Sequence, residues 1–357
     1  MPSVKDLFDA SGPTYLTYVN WNCPNHRRSV MASLVQGVYV LERDRQWNRQ
    51  GPDARAPAWW SFFHFDLRQV LVDAADGSIF GAVYSFQPPP PYHLLDAAAA
   101  AGAPHYVVAF RGTITKKGSA KRDLELDLQL VRNGLQGKSR FRVATQAIHD
   151  TLAAAAAAGH HHHRVWLAGH SLGSAIATLA AKTLARSGSG VILPTFLFNA
   201  PFVSAPVERI GDRRVRQGIR IAHSFVKAGV AAIVLQQKGG GAAVHAEASF
   251  AALAAWVPSV FVNPADPISG EYVGYFDHRR EMEAIGAGAV GRLATRNSVK
   301  DLLLGIGKAG GCEPLHLFPS AVLTVNRAPS PDFKTAHGIH QWWRPDLVLE
   351  CTAHYYT

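Results

Sequence analysis

Short apolar segments alternate with helix-forming segments along the chain. Residues His64–Asp73 and Ser78–Phe86 predict two strands joined by an Asp-Gly turn, and Tyr106–Phe110 predicts a buried, β-branched strand. Helices are predicted over residues 144–158 and 172–186. Short strands interleaved with helices indicate an α/β fold, with a mostly parallel sheet covered by helices on both faces. Further short apolar strands are predicted over residues 164–168, 191–199, 259–263 and 322–326.

The predicted strand at 164–168 runs directly into Gly169-His170-Ser171-Leu172-Gly173, and the predicted helix begins at once. A Gly-x-Ser-x-Gly pattern alone is weak evidence, but a strand before it and a helix after it are the setting of a nucleophile elbow. The two glycines let the helix and neighbouring strands pack close to a strained corner. We therefore predict that Ser171 is a nucleophile; the alternative is a purely structural turn.

A serine hydroxyl becomes a useful nucleophile when a base takes its proton and a third group orients that base. In open α/β sheets such groups lie just past the carboxyl ends of strands. Asp266 follows the predicted strand at 259–263, in a loop where prolines prevent the strand from continuing. Asp266 is therefore the candidate acid, and Asp277 is the alternative.

The candidate base follows the predicted strand at 322–326, after a proline-rich loop. His337 and His340 both fit by position, and their spacing does not separate them. The chain order of Ser171, Asp266 and a histidine is that of hydrolases with this elbow.

An oxyanion hole requires two donors aimed at the place where negative charge develops. One is expected to be the backbone N–H of Leu172, the residue after the nucleophile. The second is expected from Arg111-Gly112-Thr113, which follows the strand Tyr106–Phe110; Thr113 offers both an N–H and a hydroxyl. The alternative is a plain turn at the end of the strand.

Composition limits the class of protein. Hydrophobic residues make up 48% and charged residues 17% of 357 residues, which is typical of a globular protein. The net charge of +10 is concentrated in Lys116–Arg122, Arg209–Arg220 and His278–Arg280. No nucleic-acid-binding signature accompanies this charge, so we expect no nucleic-acid partner. We interpret the basic stretches as solvated surface, with peripheral contact to an anionic membrane as the alternative.

The chain is expected to lie inside the cell. No apolar run approaches the roughly 18–20 residues that span a bilayer, and the first residues lack the pattern of a secretory signal. Cys23, Cys312 and Cys351 are too few for a disulfide framework and are not spaced as a metal cluster. A soluble or peripheral protein in a reducing compartment, most simply the cytoplasm, is the resulting prediction.

We expect no metal and no cofactor. The run His160–His163 resembles a metal tract, but adjacent side chains point in different directions, and we interpret it as a loop. Cutting the chain into separate domains would divide Ser171 from its candidate partners. We therefore predict one domain over residues 1–357, with an N-terminal extension of roughly 1–30.

As an ordered set, these motifs resemble those of the class 3 (fungal-type) lipases of the α/β-hydrolase fold. The likeness is strongest to a plant branch labelled GDSL esterase/lipase-like, although no Gly-Asp-Ser-Leu occurs here. It covers most of the chain, and the residues that carry it are Tyr15–Ser29, Phe110–Thr113, Gly169–Gly173, Asp266-Pro267, Arg296–Leu304 and Ala336–Trp343.

The resemblance implies Ser171 as nucleophile, Asp266 as acid, His337 as base and Thr113 as an oxyanion donor. In relatives the base lies six residues before a tryptophan, which His337 satisfies with Trp343 and His340 does not.

The chain also departs from the fungal members. His340 stands where they carry Glu, and the segment after Thr113 is charged where they carry an amphipathic lid. Trp59-Trp60 and Phe62-Phe63 could supply an apolar entrance instead, but such a run of aromatic residues more often belongs to a core or an interface. The long stretches on either side of Asp266 are candidates for a cap over the pocket.

The leading hypothesis is a serine carboxylic-ester hydrolase acting on lipid or acyl esters. Two alternatives remain at this point. One is a non-catalytic binding or signalling protein that kept the fold, because folds outlast functions. The other is an acyltransferase that uses the same triad and passes the acyl group to an alcohol.

Overall fold

The computed structural model describes residues 3–88, 102–114, 139–202, 248, 250–284 and 317–356. An eight-stranded sheet lies at its centre, and the strands lie side by side in chain order. The strands are β1 (Phe65–Val72), β2 (Ile79–Phe86), β3 (Tyr106–Phe110), β4 (Val165–His170), β5 (Thr195–Phe198), β6 (Ser259–Val262), β7 (Ala321–Asn326) and β8 (Leu349–His354).

Strands β3 to β7 are parallel, whereas β1, β2 and β8 pair in antiparallel fashion at the two sides of the sheet. The predicted α/β-hydrolase architecture with a mostly parallel sheet is confirmed. Because β3 to β7 run in one direction, their carboxyl ends all meet at one edge of the sheet.

Helices cover both faces of the sheet. The α-helices are α1 (Phe8–Ser11), α2 (Pro24–Gln46), α3 (Ala58–Ser61), α4 (Ser139–Ala157), α5 (Leu172–Arg186), α6 (Glu271–Ala284) and α7 (Phe333–His337). Short 3-10 helices occur at Val4–Asp6, Gly51–Asp53, His162–Arg164 and Ile339–Trp343.

One apolar core lies between the sheet and the helices that connect its parallel strands. It contains alternate residues of the strands, such as Val108 and Leu167, together with Ile148 of α4, Ile176 of α5 and Phe276 of α6. Strands added in one direction through right-handed crossovers place their connecting helices on one face, which explains why these helices share a core.

The second core lies on the opposite face, where the chain before β1 and the segment around Trp342 supply the cover. The other strand residues, such as Ala109 and Trp166, pack there against Val35 of α2, Trp59 of α3 and Trp342. The residues predicted as an N-terminal extension contribute Phe8, Leu16, Trp21 and Val30 to this core, all of them buried.

The aromatic run after α2 belongs to this second core. Trp59, Trp60 and Phe63 are buried, and Phe8 contacts Trp59 edge-on with ring centroids 5.2 Å apart. These residues therefore belong to the core, which is the commoner role of such a run, and they do not form an apolar entrance.

Several predicted elements fall outside the described residues. These are the charged segment after Thr113, the cap suggested for the stretches around Asp266, Cys312, and the basic stretches Lys116–Arg122 and Arg209–Arg220.

Helix α5 approaches the end of β3 very closely. A Cβ atom at Gly173 would lie 2.4 Å from Phe110 O and 2.7 Å from Arg111 O, and one at Gly169 would lie 2.5 Å from Gly173 O. All three contact atoms are backbone atoms, which cannot rotate away. The two glycines of the Gly-x-Ser-x-Gly pattern are therefore required by close packing.

Gly173→Ala tests this packing. Helix propensity alone favours alanine by about 1 kcal/mol, whereas overpacking against fixed backbone costs roughly 3 kcal/mol. We expect a net loss of about 2 kcal/mol in the free energy of unfolding, measured by urea denaturation. Gly159→Ala is the control, since its φ is +74° but a Cβ would meet nothing within 4 Å; it should cost only about 1 kcal/mol. A Gly173→Ala protein as stable as the parent would contradict the packing argument.

Candidate active site

Ser171 occupies the sharp corner between β4 and α5. Its backbone has φ 54° and ψ −124°, a conformation that costs a residue other than glycine about 1–3 kcal/mol. The Ser171 N–H donates to Phe198 O of β5 at 3.0 Å, and the Ser174 hydroxyl donates to Gly169 O at 2.7 Å. The strand-to-helix turn predicted at this serine is present, and neighbouring backbone groups hold it.

Asp266 lies in the turn after β6, and its side chain is fully buried. Its Oδ2 accepts hydrogen bonds from Asn199 Nδ2 at 2.7 Å and Ser269 Oγ at 2.6 Å, and Oδ1 accepts from the Ile268 N–H at 3.1 Å. Burial pushes the pKa of Asp266 upward, but the nearby His337 and these hydrogen bonds outweigh burial and hold the pKa below its usual value. Asp266 is thus a buried carboxylate that stays ionised.

His337 is the last residue of α7, and its Nδ1 lies 3.0 Å from Asp266 Oδ2. The imidazole stacks on Phe333, with ring centroids 5.2 Å apart and planes 10° apart. Its side chain is 12% exposed, whereas the side chain of Asp266 is fully enclosed. The structure therefore joins the candidate acid to one candidate base.

Ser171 is connected to this pair through its chain neighbour, without a hydrogen bond of its own to either member. His170, its neighbour in the chain, has its ring centroid 4.9 Å from that of His337. Within the described residues, no hydrogen bond connects Ser171 Oγ to His337. In an unliganded enzyme such a bond is often long and closes when substrate binds.

His340 has different surroundings. Its Nδ1 lies 3.4 Å from Lys5 Nζ, and it has no contact with Asp266. Burial, with Lys5 close by, lowers the pKa of His340 to about 4. Asp277, the alternative acid, is half exposed on α6 and pairs with Arg280 at 2.6 Å.

Three successive backbone carbonyls of the His337 loop accept hydrogen bonds from side chains. Ala336 O accepts from Asn199 Nδ2 at 3.1 Å and from Gln341 Nε2 at 2.6 Å, His337 O accepts from His170 Nε2 at 2.7 Å, and Gly338 O accepts from Gln341 Nε2 at 3.1 Å. The loop is thereby fixed in place at the residue that carries the imidazole.

The donors of that loop are themselves anchored to strand ends. Gln341 Oε1 accepts from Asn263 Nδ2 after β6 at 2.9 Å and from Asn326 Nδ2 at the end of β7 at 3.1 Å. Asn199 Oδ1, after β5, accepts from Trp342 Nε1 at 2.6 Å. Each amide is used as both donor and acceptor, as buried amides require.

The two predicted oxyanion residues line a common cavity of about 510 Å³. Leu172 is the first residue of α5, where backbone N–H groups have no partner within the helix. Thr113 follows Gly112, whose carbonyl accepts from Arg111 Nη1 at 2.6 Å. Ile114 and Ile176 also line the cavity, and ion pairs such as Arg140–Asp73 at 2.6 Å lie in its wall.

Sequence reasoning missed the residues that hold the candidate groups in place. Asn199, Gln341 and His170 belong to this set, and so does Tyr39 on α2. The one available signal was a polar residue at the end of a buried apolar strand, as at Asn199.

Other predicted features can be located. His160 and His161 lie in the loop before β4, and His162 and His163 begin the short 3-10 helix there; His160 is half-buried and the other three are exposed. Across the described ranges, no group of three or more His, Cys, Asp or Glu side chains is arranged to hold a metal ion. Nor does any helix in those ranges have the length and apolar character needed to cross a membrane.

Comparisons with known proteins show which family the chain belongs to. A family model described as Lipase (class 3) matches residues 107–225. An Arabidopsis thaliana protein named GDSL esterase/lipase is 46% identical over 361 residues, which cover 100% of this chain and 99% of that protein. The crystal structure of carboxyl esterase 2 from the mycorrhizal fungus Tuber melanosporum is similar at 14% identity with a TM-score of 0.30, over 69% of this chain and 86% of that one. Because the 46% identity extends along the whole chain, the protein belongs to the same esterase/lipase family as that plant protein, with the class 3 lipase match in residues 107–225, and is a carboxylic ester hydrolase.

Proposed function

We propose that this chain hydrolyses lipid or acyl esters with Ser171 as nucleophile, His337 as base and Asp266 as the acid that orients the base. The observation that carries the proposal is the 3.0 Å contact between His337 Nδ1 and Asp266 Oδ2. Ser171 is held on a strained turn next to His170, whose ring lies 4.9 Å from that of His337. A base that is oriented by a buried carboxylate and can reach a serine is the arrangement that activates a serine hydroxyl.

The reaction proceeds in two halves. Ser171 Oγ attacks the ester carbonyl while His337 Nε2 takes its proton, and the tetrahedral intermediate collapses as that proton passes to the leaving alcohol. Water then attacks the acyl-enzyme with His337 again serving as base, which releases the acid and restores Ser171. Each half develops negative charge on the carbonyl oxygen.

That charge is met by Leu172 N–H and by Thr113, through its N–H or hydroxyl. Thr113 and Leu172 line one cavity at the carboxyl edge of the sheet, which supports pairing these two donors; Ser171 and His337 are not among the residues that line it. Fixed backbone donors lose no energy to reorganisation when the charge appears, which is why such donors contribute strongly to catalysis.

Asp266 acts through His337 in this proposal. Its carboxylate accepts from Nδ1–H, which fixes the imidazole tautomer and leaves Nε2 free to accept the serine proton. Once His337 is protonated, the buried negative charge stabilises the imidazolium.

The cellular setting is also a proposal. Cys23 and Cys351 are free thiols, which supports an intracellular, reducing location. Of the basic stretches, the described one uses Arg280 to pair with Asp277 and Arg279 to donate to Phe318 O at 2.9 Å. Contact with an anionic membrane therefore depends on the two stretches outside the described residues.

Ser171→Ala tests the nucleophile. Turnover of p-nitrophenyl esters of increasing chain length should fall by at least about 10³-fold, because no other hydroxyl occupies the elbow. Covalent labelling by a fluorophosphonate should disappear as well. Ser33→Ala is the matched control: its buried hydroxyl donates to Trp59 O at 3.0 Å in the second core, and labelling should persist. Full activity in the Ser171→Ala protein would refute the proposed mechanism.

A paired substitution separates the two histidines. His337→Ala should lower kcat by about 10³-fold or more, since it removes the base. His340→Ala should keep most of its activity, because His340 contacts Lys5 instead of Asp266. The measurement is kcat on a p-nitrophenyl ester for both proteins. The reverse result would transfer the role of base to His340.

Asp266→Asn tests the acid in two ways. Activity should fall by about 10³- to 10⁴-fold from loss of the correct imidazole tautomer, whereas Asp277→Asn should leave activity unchanged.

The contribution of Asp266 to the free energy of unfolding should depend on pH as well. A carboxyl whose folded pKa lies below its ordinary value of about 3.9 stabilises the fold above that pH, and the contribution disappears as pH falls through the folded pKa. The difference in unfolding free energy between the parent and Asp266→Asn should therefore shrink on acidification below about pH 4. A constant difference from pH 7 to pH 3 would count against the ionised carboxylate.

A further inference from the structure

A chain of hydrogen bonds connects the oxyanion loop to the loop of the base. The Gly112 N–H donates to the Tyr39 hydroxyl at 2.7 Å, Tyr39 contacts His170 Nδ1 at 2.8 Å, and His170 Nε2 contacts His337 O at 2.7 Å. The four residues come from four places in the fold: after β3, in α2, at the end of β4 and at the end of α7.

The direction of each hydrogen bond follows from chemistry. A backbone carbonyl only accepts, so His170 Nε2 must carry the hydrogen. Burial, reinforced by the neighbouring His337, lowers the pKa of His170 to about 3, so its ring is neutral near pH 7 and Nδ1 is an acceptor. The Tyr39 hydroxyl therefore donates to Nδ1, and its oxygen accepts from Gly112. Each donor and each acceptor in this chain of hydrogen bonds therefore has only one possible role.

The first end of this chain fixes the oxyanion loop. The Gly112 N–H is held by Tyr39, and the Gly112 carbonyl is held by Arg111 Nη1. The Gly112–Thr113 peptide is planar, so fixing its carbonyl also fixes the direction of the Thr113 N–H. Tyr39 and Arg111 together set the orientation of a proposed oxyanion donor.

The same loop presses against the nucleophile. A Cβ atom at Gly112 would lie 2.8 Å from Ser171 Cβ, 2.7 Å from the Tyr39 hydroxyl oxygen and 3.0 Å from His170 O. A small shift of this loop would therefore change the spacing between Ser171 and the donor at Thr113.

We propose that Tyr39 and His170 are positioning residues, which hold the oxyanion donor at Thr113 and the base His337 at a fixed spacing about Ser171. This inference rests on the proposed function. Tyr39 lies outside the segment matched by the family model, on a helix that covers the opposite core from α5. Neither residue touches the substrate in this proposal, and both act through the groups they hold.

Tyr39→Phe is the first test. It removes one hydroxyl and leaves both Gly112 N–H and His170 Nδ1 without their partner. On p-nitrophenyl esters kcat should fall by about 10- to 100-fold while KM stays within about threefold, because misplacement weakens transition-state contacts more than ground-state binding. The rate of fluorophosphonate labelling should fall in parallel.

Tyr84→Phe is the matched control. Tyr84 is a buried tyrosine of β2 whose hydroxyl donates to Leu34 O of α2 at 3.2 Å. Its hydrogen bond joins the same helix to the same sheet but is not part of this chain of bonds. It should show a similar drop in thermal midpoint and an unchanged kcat. An equal loss of kcat in both variants, or a loss confined to KM in Tyr39→Phe, would overturn the inference.

Two substitutions of His170 separate the two ends. His170→Asn places an amide near the Nδ1 position and loses the bond to His337 O, whereas His170→Gln reaches the Nε2 position and loses the bond to Tyr39. Because Tyr39→Phe and His170→Gln remove the same bond, the double variant should lose little more kcat than the worse single variant. Additive losses would overturn the inference. Should Tyr39→Phe fail to fold, His170→Asn tests the His337 end alone, and an undiminished kcat there would also overturn it.

The outcomes distinguish this inference from the proposed function. An active and labelled Ser171→Ala protein would remove the proposed function itself. An inactive Ser171→Ala protein together with a fully active Tyr39→Phe protein would leave the triad standing and reject only the positioning role.

Discussion

The backbone carbonyls of Ala336 and His337 lie where a short helix ends, so no backbone N–H of that helix donates to them. A buried carbonyl without a hydrogen-bond donor destabilises the fold by about 1–3 kcal/mol. Here side chains from several elements donate to these carbonyls. Asn199 comes from the end of β5, Gln341 is anchored to the ends of β6 and β7, and His170 comes from the end of β4. The position of His337 is therefore set by the whole carboxyl edge of the sheet. Moving any one strand would move the imidazole.

The order of the strands creates a second demand. Because β3 to β7 follow one another across the sheet, their connecting helices occupy one face and leave the other apolar face to be covered by something else. Helix α2 covers that face. Because the helix is buried, its polar residues form hydrogen bonds with other parts of the protein. Glu42 accepts from the Ile79 N–H at 2.8 Å, and Tyr39 reaches the active-site edge. Structural cover and site support are thus carried by one helix.

Much of the parallel sheet could be predicted from sequence, because buried central strands are continuous apolar runs. Strand β3 and helix α5 have their predicted bounds, and the turn at Ser171 is where the motif indicates. Helix α2 was not predicted, since polar residues such as Ser33 and Gln36 are buried among its apolar ones and hide the amphipathic pattern. Strand β8 is an edge strand of only six residues, in which Leu349, Cys351 and Ala353 alternate with polar residues; this short alternation is a strand signal that the sequence analysis did not use. Spacing could not separate His337 from His340, because what distinguishes them is a tertiary contact between His337 and Asp266.

The close tie between α2 and the active-site edge limits how this family can be divided into parts. The segment matched by the family model, residues 107–225, contains Ser171 and Thr113 but not Asp266, His337 or Tyr39. Excised alone, it would present a strained serine with neither base nor acid, and one face of its strands would lie bare to water. The segment that identifies the family is therefore smaller than the segment that is needed for activity. The family motif lies within a third of the chain, but an active domain also requires the chain before and after it.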